Sequence, residues 1–200
     1  AHTEMLTYEF INVTKNTAEL VLNWEKKQFP VLVEFAVDNI VMANAAEELQ
    51  GAKGFTWQAL SSAANYALQN KVNQEVALVW IDKALAQQSN YTNLNIKSGL
   101  LKQAGKTAEA EKIQKDALAV ATEPELNQYG YQLLNDGKHE ESVKIMVMVT
   151  ERYPQSANAW DSLGEAYATK GDKDNAIKSF KKALSLNPAK NVKDNSEKYL

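Results

Sequence analysis

The chain has 200 residues, of which 44% are apolar, and it contains no cysteine. This length and apolar content suffice for one or two compact units, while the lack of cysteine excludes disulfides, thiolate nucleophiles and cysteine metal sites. A formal net charge of -3 supplies no broad positive field for phosphates, so we do not expect nucleic-acid binding. No apolar run approaches the roughly 18 residues that span a bilayer, so we expect no membrane insertion.

The first part of the sequence alternates apolar and polar residues, which is the period of a β-strand. Three such runs, Leu6–Phe10, Ala18–Trp24 and Phe29–Phe35, are separated by polar residues at 14–17 and 25–28. Polar breaks of this length are typical of hairpins, so residues 1–36 are predicted to form an antiparallel β-meander. A sheet of about 30 residues buries too little surface to be stable alone, so we expect it to lean on another part of the protein.

After Phe35 the alternation stops and a longer repeat appears. Gly105, Gly137 and Gly171 are spaced by 32 and 34 residues, and a small residue follows each of them five positions later. A second series, Ala84, Ala117, Val149 and Ala183, keeps the same step. Such a period is the sequence sign of a repeat architecture made of helical hairpins.

One repeat carries a full signature near the C-terminus. Its residues are Trp160, Leu163, Gly164, Tyr167, Ala176, Phe180, Ala183 and Pro188. In type and spacing they resemble the tetratricopeptide repeat family, in which each repeat is a pair of antiparallel helices. The resemblance implies that small residues let the helix backbones approach while Trp160, Tyr167 and Phe180 fill the gaps.

Weaker copies of the repeat precede this one. They are centred on Leu126–Pro154, on Asn93–Ala121 and on Thr56–Ala86. We therefore predict a mainly α fold, with a tetratricopeptide-type α-solenoid of about four hairpins over residues 37–200. The amphipathic stretch Asn191–Leu200 is expected to be a capping helix, and Trp57, Trp80 and Trp160 are expected to be structural core residues.

The N-terminal third shows a second resemblance. Residues 6–10, 18–25, 55–57 and 77–85 are similar to the end of an uncharacterised exported bacterial family, a β-domain of unknown function followed by tetratricopeptide repeats. The resemblance implies that residues 1–36 are the end of a truncated β-domain. It also implies a periplasmic or otherwise exported location, with a signal peptide that is not in this sequence.

Residues suited to catalysis or metal binding are few. The two histidines are His2, near the terminus, and His139, in the predicted interhelical turn 137–140, and neither has ligands at metal-binding spacing. Glu109 with Glu111 and Glu140 with Glu141 are paired acids, but near neighbours along a helix point to different sides. We therefore expect no enzyme activity, no metal and no cofactor.

A binding role is predicted for the first helix of each hairpin, on the side away from its partner helix. The helical period selects Tyr66, Asn95, Lys102, Asn127, Tyr131, Asp161 and Glu165 as possible peptide-groove residues. In this register Tyr66 and Tyr131 are equivalent, and Asp161 and Glu165 are exposed. Tyrosine and asparagine offer a flat apolar surface and amide hydrogen bonds, which suit an extended peptide.

Three functional interpretations follow from the sequence. The first is a non-catalytic scaffold that binds an unidentified protein or peptide segment through the groove. The second is an accessory part of a larger exported ligand-binding protein or enzyme whose β-domain holds the active site. The third is self-association through the N-terminal strands, because unpaired strand edges can pair with another chain.

Overall fold

The structure is a computed structural model that describes residues 3–200. Its strands are β1 (Thr3–Ile11), β2 (Thr17–Glu25) and β3 (Lys27–Glu34). Its helices are α1 (Val37–Glu48), α2 (Trp57–Asn70), α3 (Gln74–Gln87), α4 (Tyr91–Gln103), α5 (Thr107–Val120), α6 (Glu123–Asn135), α7 (His139–Arg152), α8 (Ala157–Lys170), α9 (Lys173–Ser185) and α10 (Lys190–Lys198), with a 3-10 turn at Ala52–Phe55. The predicted mainly α fold with a short N-terminal antiparallel sheet is confirmed. No helix of this described range is long and apolar enough to cross a bilayer.

The chain forms two compact units. The first unit contains the residues up to Ser89 together with Ile96–Glu111, and the second contains Asn90–Asn95 and Lys112–Leu200. The division of the chain into a β-segment of residues 1–36 and a helical segment of residues 37–200 stays a prediction.

The predicted meander is present in the first unit, with the strands in the order β1-β2-β3. Its second hairpin is tighter than expected. Trp24 pairs with Lys27, so only Glu25 and Lys26 connect the paired residues. Glu25 adopts a positive φ of 53°, and this left-handed conformation turns the chain within two residues.

The sheet is tied to the helices of the first unit by a polar cluster at the β1–β2 turn. Lys15 Nζ lies 2.7 and 2.9 Å from the two carboxylate oxygens of Asp38 in α1 and 2.7 Å from Asn70 Oδ1 in α2. The phenol of Tyr66 donates to Asp38 Oδ1 at 2.7 Å. The ammonium group of Lys15 lowers the pKa of Asp38, with the Tyr66 hydrogen bond as the second cause. We name these four residues the Lys15 tether.

Small residues recur where the two helices of a hairpin meet. One series is Ala77, Ala110, Ser142 and Ala176, and the other is Ala84, Ala117, Val149 and Ala183, and all eight are buried. Both predicted series are therefore confirmed as core positions. Hydroxyl groups add a hydrogen bond within two hairpins: Ser98 Oγ donates to the Ala110 carbonyl at 2.9 Å, and Ser142 Oγ donates to the Gly130 carbonyl at 2.7 Å.

Glycines in the first helices of two hairpins face large side chains of the second helices. A Cβ atom on Gly164 would lie 2.6 Å from Phe180 Cε1, and a Cβ on Gly130 would lie 2.5 Å from Met146 Cε. Phe180 and Met146 are fully buried. The close approach of these helices therefore requires the absence of a side chain at both glycine positions.

The turns between paired helices use left-handed residues. Gly171 has a φ of +90°, as predicted for the residue that ends the first helix of its hairpin. The first hairpin instead uses Lys71 and Asn73, with φ of 57° and 46°. The first hairpin begins at Trp57. It contains one residue more before its small residue Ala77 than each later hairpin contains before the equivalent small residue.

The predicted C-terminal capping helix is present as α10 and packs in the second unit. Val192 is 7% exposed, and the Tyr199 ring stacks on Phe180 with centroids 4.7 Å apart. Leu200, the last apolar residue of the predicted capping stretch, is 55% exposed because α10 already ends at Lys198. Asn187, with a φ of 55°, and Pro188 separate α9 from α10.

The tryptophans differ in burial. Trp80 is buried at 7% exposure, as expected for a core residue. Trp57 and Trp160 are half-buried and pack at the margins of apolar clusters, and Trp160 Nε1 donates to the Pro154 carbonyl at 3.0 Å. Trp24, on the sheet, is 55% exposed.

Replacing Gly164 with alanine is expected to destabilise the protein more than replacing Gly130 does. Both substitutions gain the same helix propensity, but the rigid Phe180 ring has less freedom to move away than the flexible Met146 side chain. We expect a loss of about 1–3 kcal/mol for Gly164→Ala. Urea unfolding of the two variants measures the difference, and equal losses would contradict this account.

Candidate functional site

The predicted groove residues are distributed over both units. The second unit holds Asn95, Asn127, Tyr131, Asp161 and Glu165. The first unit holds Tyr66 and Lys102.

Tyr131 and Glu165 connect α6 to α8. The phenol of Tyr131 donates to Glu165 Oε2 at 2.6 Å and lies 3.2 Å from Ser162 Oγ. Burial raises the pKa of Tyr131, and the hydrogen bond to Glu165 raises it further. The tyrosine therefore stays neutral and acts as a hydrogen-bond donor at neutral pH.

The capping helix α10 covers Asp161. Ser196 Oγ donates to Asp161 Oδ1, and Asn195 Nδ2 donates to Asp161 Oδ2 at 2.8 Å and to Glu165 Oε1 at 2.7 Å. Asp161 is only 6% exposed, so the exposure predicted for it is wrong. The helical period of α8 gave the side of the helix correctly, but α10 occupies that side. Asp161, Glu165, Tyr131, Asn195 and Ser196 are named the α8 polar cluster.

The ionisation of Asp161 is affected by this burial. Desolvation raises the pKa of the carboxyl, the hydrogen bonds from Ser196 and Asn195 lower it, and the charge of Glu165 raises it, with a net upward shift. The folded protein therefore favours the protonated carboxyl more than the unfolded chain does.

Asn127 stands beside this cluster in the α6 sequence but does not join it. The side chain is half-buried, and its Oδ1 atom is buried without a hydrogen-bond partner among the described residues. A buried acceptor without a donor costs free energy. Asn95 is also half-buried, and no hydrogen bond joins it to the α8 polar cluster.

In the first unit, Tyr66 belongs to the Lys15 tether through its hydrogen bond to Asp38. Lys102 is exposed near the end of α4. The predicted equivalence of Tyr66 with Tyr131 is wrong. Tyr131 follows the buried Gly130, whereas the residue that follows the buried Ala64 in α2 is Asn65, because the first hairpin contains one residue more.

The remaining candidates show no catalytic arrangement. His2 lies outside the described residues, and His139 is the half-buried first residue of α7 rather than a turn residue. Glu140 pairs with Lys170 at 2.9 Å on the surface, while Glu109 and Glu111 are exposed. Within residues 3–200, no group of three or more potential metal ligands converges.

Sequence reasoning missed two members of the α8 polar cluster and three of the tether, Lys15, Asp38 and Asn70. Asn195 and Ser196 lie in the capping helix α10, which was predicted only as an amphipathic stretch. Asp38 was not singled out because no repeat position marks it. The sequence of a terminal helix does not show which of its polar residues contact a buried carboxylate.

The family comparison identifies one repeat. Residues 157–190 match the model described as Tetratricopeptide repeat. These residues, α8 and α9, are a tetratricopeptide repeat. The hairpins built on Gly130 and Met146, and on the other small residues described above, show the same use of small residues between paired helices. The resemblance of the N-terminal third to an exported β-domain family stays a prediction.

Two sequence relatives match short segments. The chain is similar to Superkiller complex protein 3 of Mus musculus, with 42% identity over 55 residues, and of Homo sapiens, with 41% identity over 59 residues. The matches cover 28% and 30% of this chain and 4% of each relative. The chain therefore corresponds to a small part of these relatives.

Solved structures show weak similarity over longer stretches. YrrB, described as a TPR protein with an unusual peptide-binding site, has 22% identity and a TM-score of 0.45, covering 81% of this chain and 89% of that one. MamA has 18% identity and a TM-score of 0.44, covering 76% and 89%.

Replacing Asp161 with asparagine is expected to change how stability depends on pH. The folded pKa of Asp161 lies above its ordinary value of 3.8, so wild type is most stable relative to Asp161→Asn below that value. As the pH rises through 3.8 to the folded pKa, wild type loses stability relative to the variant. Urea unfolding between pH 3 and pH 7 measures this difference, and parallel pH profiles would refute the role of burial.

Proposed function

We propose that this chain is a non-catalytic scaffold that binds an extended protein or peptide segment beside the α8 polar cluster. The proposal is supported by the tetratricopeptide repeat at residues 157–190, whose signature residues pack helices together. Their side chains have no chemical role beyond packing, which leaves recognition to the polar residues of the first helices.

The observation that carries the proposed site is the unsatisfied acceptor of Asn127. Its Oδ1 atom has no donor among the described residues, while neighbouring polar groups in α6 and α8 are hydrogen-bonded. Rotation of the amide toward solvent would let a peptide N–H group supply the missing hydrogen bond. The Tyr131 ring beside it offers an apolar surface for the peptide chain.

The charge of the cluster indicates which segments fit. Glu165 accepts hydrogen bonds at both oxygens, and Asp161 is covered by α10, so neither presents a free carboxylate. The site therefore favours a neutral or weakly basic segment that contacts amide and aromatic groups. Asn95, Lys102 and Tyr66 remain proposed contacts at the other predicted positions.

Asn127 is expected to strengthen peptide binding. A peptide selected from a displayed random library on the whole chain should bind Asn127→Ala about tenfold more weakly, the loss of one hydrogen bond in a shielded site. Asn135→Ala, an exposed asparagine at the end of the same helix, is the matched control and should bind normally. Isothermal titration calorimetry measures both, and unchanged affinity in Asn127→Ala and Tyr131→Ala would reject the site.

A second candidate function is favoured by the sheet. Its exposed apolar residues, described below, fit the proposal that the chain is an accessory part of a larger exported protein whose β-domain binds a ligand or acts on a substrate. Ligand binding or activity in a longer version of the protein, absent from this chain, would support it. The exported location is likewise a proposal that rests on the sequence resemblance, and reading the upstream frame for a signal peptide tests it.

A further inference from the structure

One face of the sheet is apolar across all three strands. The register places Tyr8, Leu22 and Phe29 side by side, and next to them Phe10, Leu20 and Val31. Directly paired residues point to the same side of a sheet, and alternate residues share that side. Trp24 therefore lies on this face too. We name it the aromatic face.

The aromatic face is largely open to solvent. Tyr8 is 67% exposed, Phe10 61%, Trp24 55%, Phe29 48% and Val31 56%. No strand residue belongs to the buried apolar clusters that the helices of the first unit form within the described range. The Lys15 tether thus holds the sheet at one end, where Ala18 is buried, while the aromatic side chains remain exposed among the described residues.

The opposite face has a different character. It carries the carboxylates Glu9, Glu19 and Glu34, which alternate with the aromatic-face residues along the strands. Lys27 is the one charged residue that the register of the paired strands places on the aromatic face, and it lies at a corner beside the β2–β3 turn. The carboxylates are therefore concentrated on the opposite face, beside the apolar Val21 and Leu32, and the aromatic side chains on the aromatic face.

The size of the aromatic face reaches the lower end of what a specific interface uses. Side chains of this kind bury roughly 150–250 Å² each, so five of them about half exposed present on the order of 500 Å². This lies within the roughly 300–600 Å² of the largest apolar patch on a typical monomer, and such patches are often functional. Two such faces together would bury on the order of 1,000 Å², the lower limit of a specific interface.

The strand edges are poorly suited to pairing with another chain. The Phe35 N–H donates to the Asn16 carbonyl at 2.7 Å, so odd-numbered residues of β3 face β2 and Pro30 faces the outer edge. Proline has no N–H to donate there. The β1 strand carries an irregularity between Thr3 and Thr7. Both are devices that discourage edge-to-edge association.

We propose that the aromatic face is covered by the same face of a second copy of the chain. Two sheets pack face to face at about 10 Å with a small angle between their strands, which gives a closed two-fold dimer. When two identical aromatic faces meet, no like charges face each other in the centre of the contact. Each Lys27 lies at a corner and can keep its ammonium group in water. The dimer forms through the faces of the sheets in the first unit.

Adjacent residues of β3 provide the test. Val31 and Leu32 are 56% and 60% exposed and point to opposite faces, so Val31→Lys places a charge on the aromatic face and Leu32→Lys is its matched control. Phe10→Lys places the same charge on the other edge strand. Sedimentation velocity of the whole chain over a concentration series is expected to show a monomer–dimer equilibrium that Val31→Lys and Phe10→Lys each shift to at least about tenfold higher concentration.

Several results would overturn the proposal. Wild-type protein that stays monomeric over the whole series excludes the dimer without any variant. A Leu32→Lys variant that weakens association as much as Val31→Lys assigns the contact to the β3 edge instead. Growth beyond the dimer excludes a closed two-fold contact. Monomeric behaviour of a longer version of the chain, with Trp24 protected from an aqueous quencher, shows that another segment of the same protein covers the face.

Discussion

The close approach of paired helices is the constraint on which the helical part depends. Gly164 beneath Phe180 and Gly130 beneath Met146 let the second helix of each hairpin come near enough for its large side chain to be fully buried. At that separation a serine hydroxyl reaches the backbone of the opposite helix, as Ser142 does at the Gly130 carbonyl. Packing and hydrogen bonding within a hairpin thus follow from one missing side chain.

Sequence reasoning succeeded where a feature is local or periodic. The repeat spacing predicted the buried small residues and the left-handed Gly171, because both depend on the number of residues between one helix and the next. It failed at Tyr66, since one additional residue in the first hairpin shifts the register of α2. It also failed on the exposure of Asp161, which is decided by α10 from elsewhere in the chain. Regular spacing along the chain could be read from the sequence, while an added residue in one hairpin and a contact from α10 could not.

The α8 polar cluster shows that a helix side predicted for recognition also holds the protein together. Tyr131, Glu165 and Asn195 link α6, α8 and α10 through short hydrogen bonds. Satisfied polar networks rigidify the elements that they join. Asn127, which remains outside the network, is therefore presented by a fixed surface, and a bound segment would not need to order the helices first.

The Lys15 tether sets how the sheet can move. The Lys15 side chain is half exposed, and its ammonium group reaches Asp38 and Asn70 from the tip of a hairpin, so a single lysine joins strands to helices. Dissolved ions screen such a contact, whereas they do not screen the apolar packing inside the helical hairpins. In concentrated salt the link between the meander and these helices is therefore expected to loosen before the helical hairpins do.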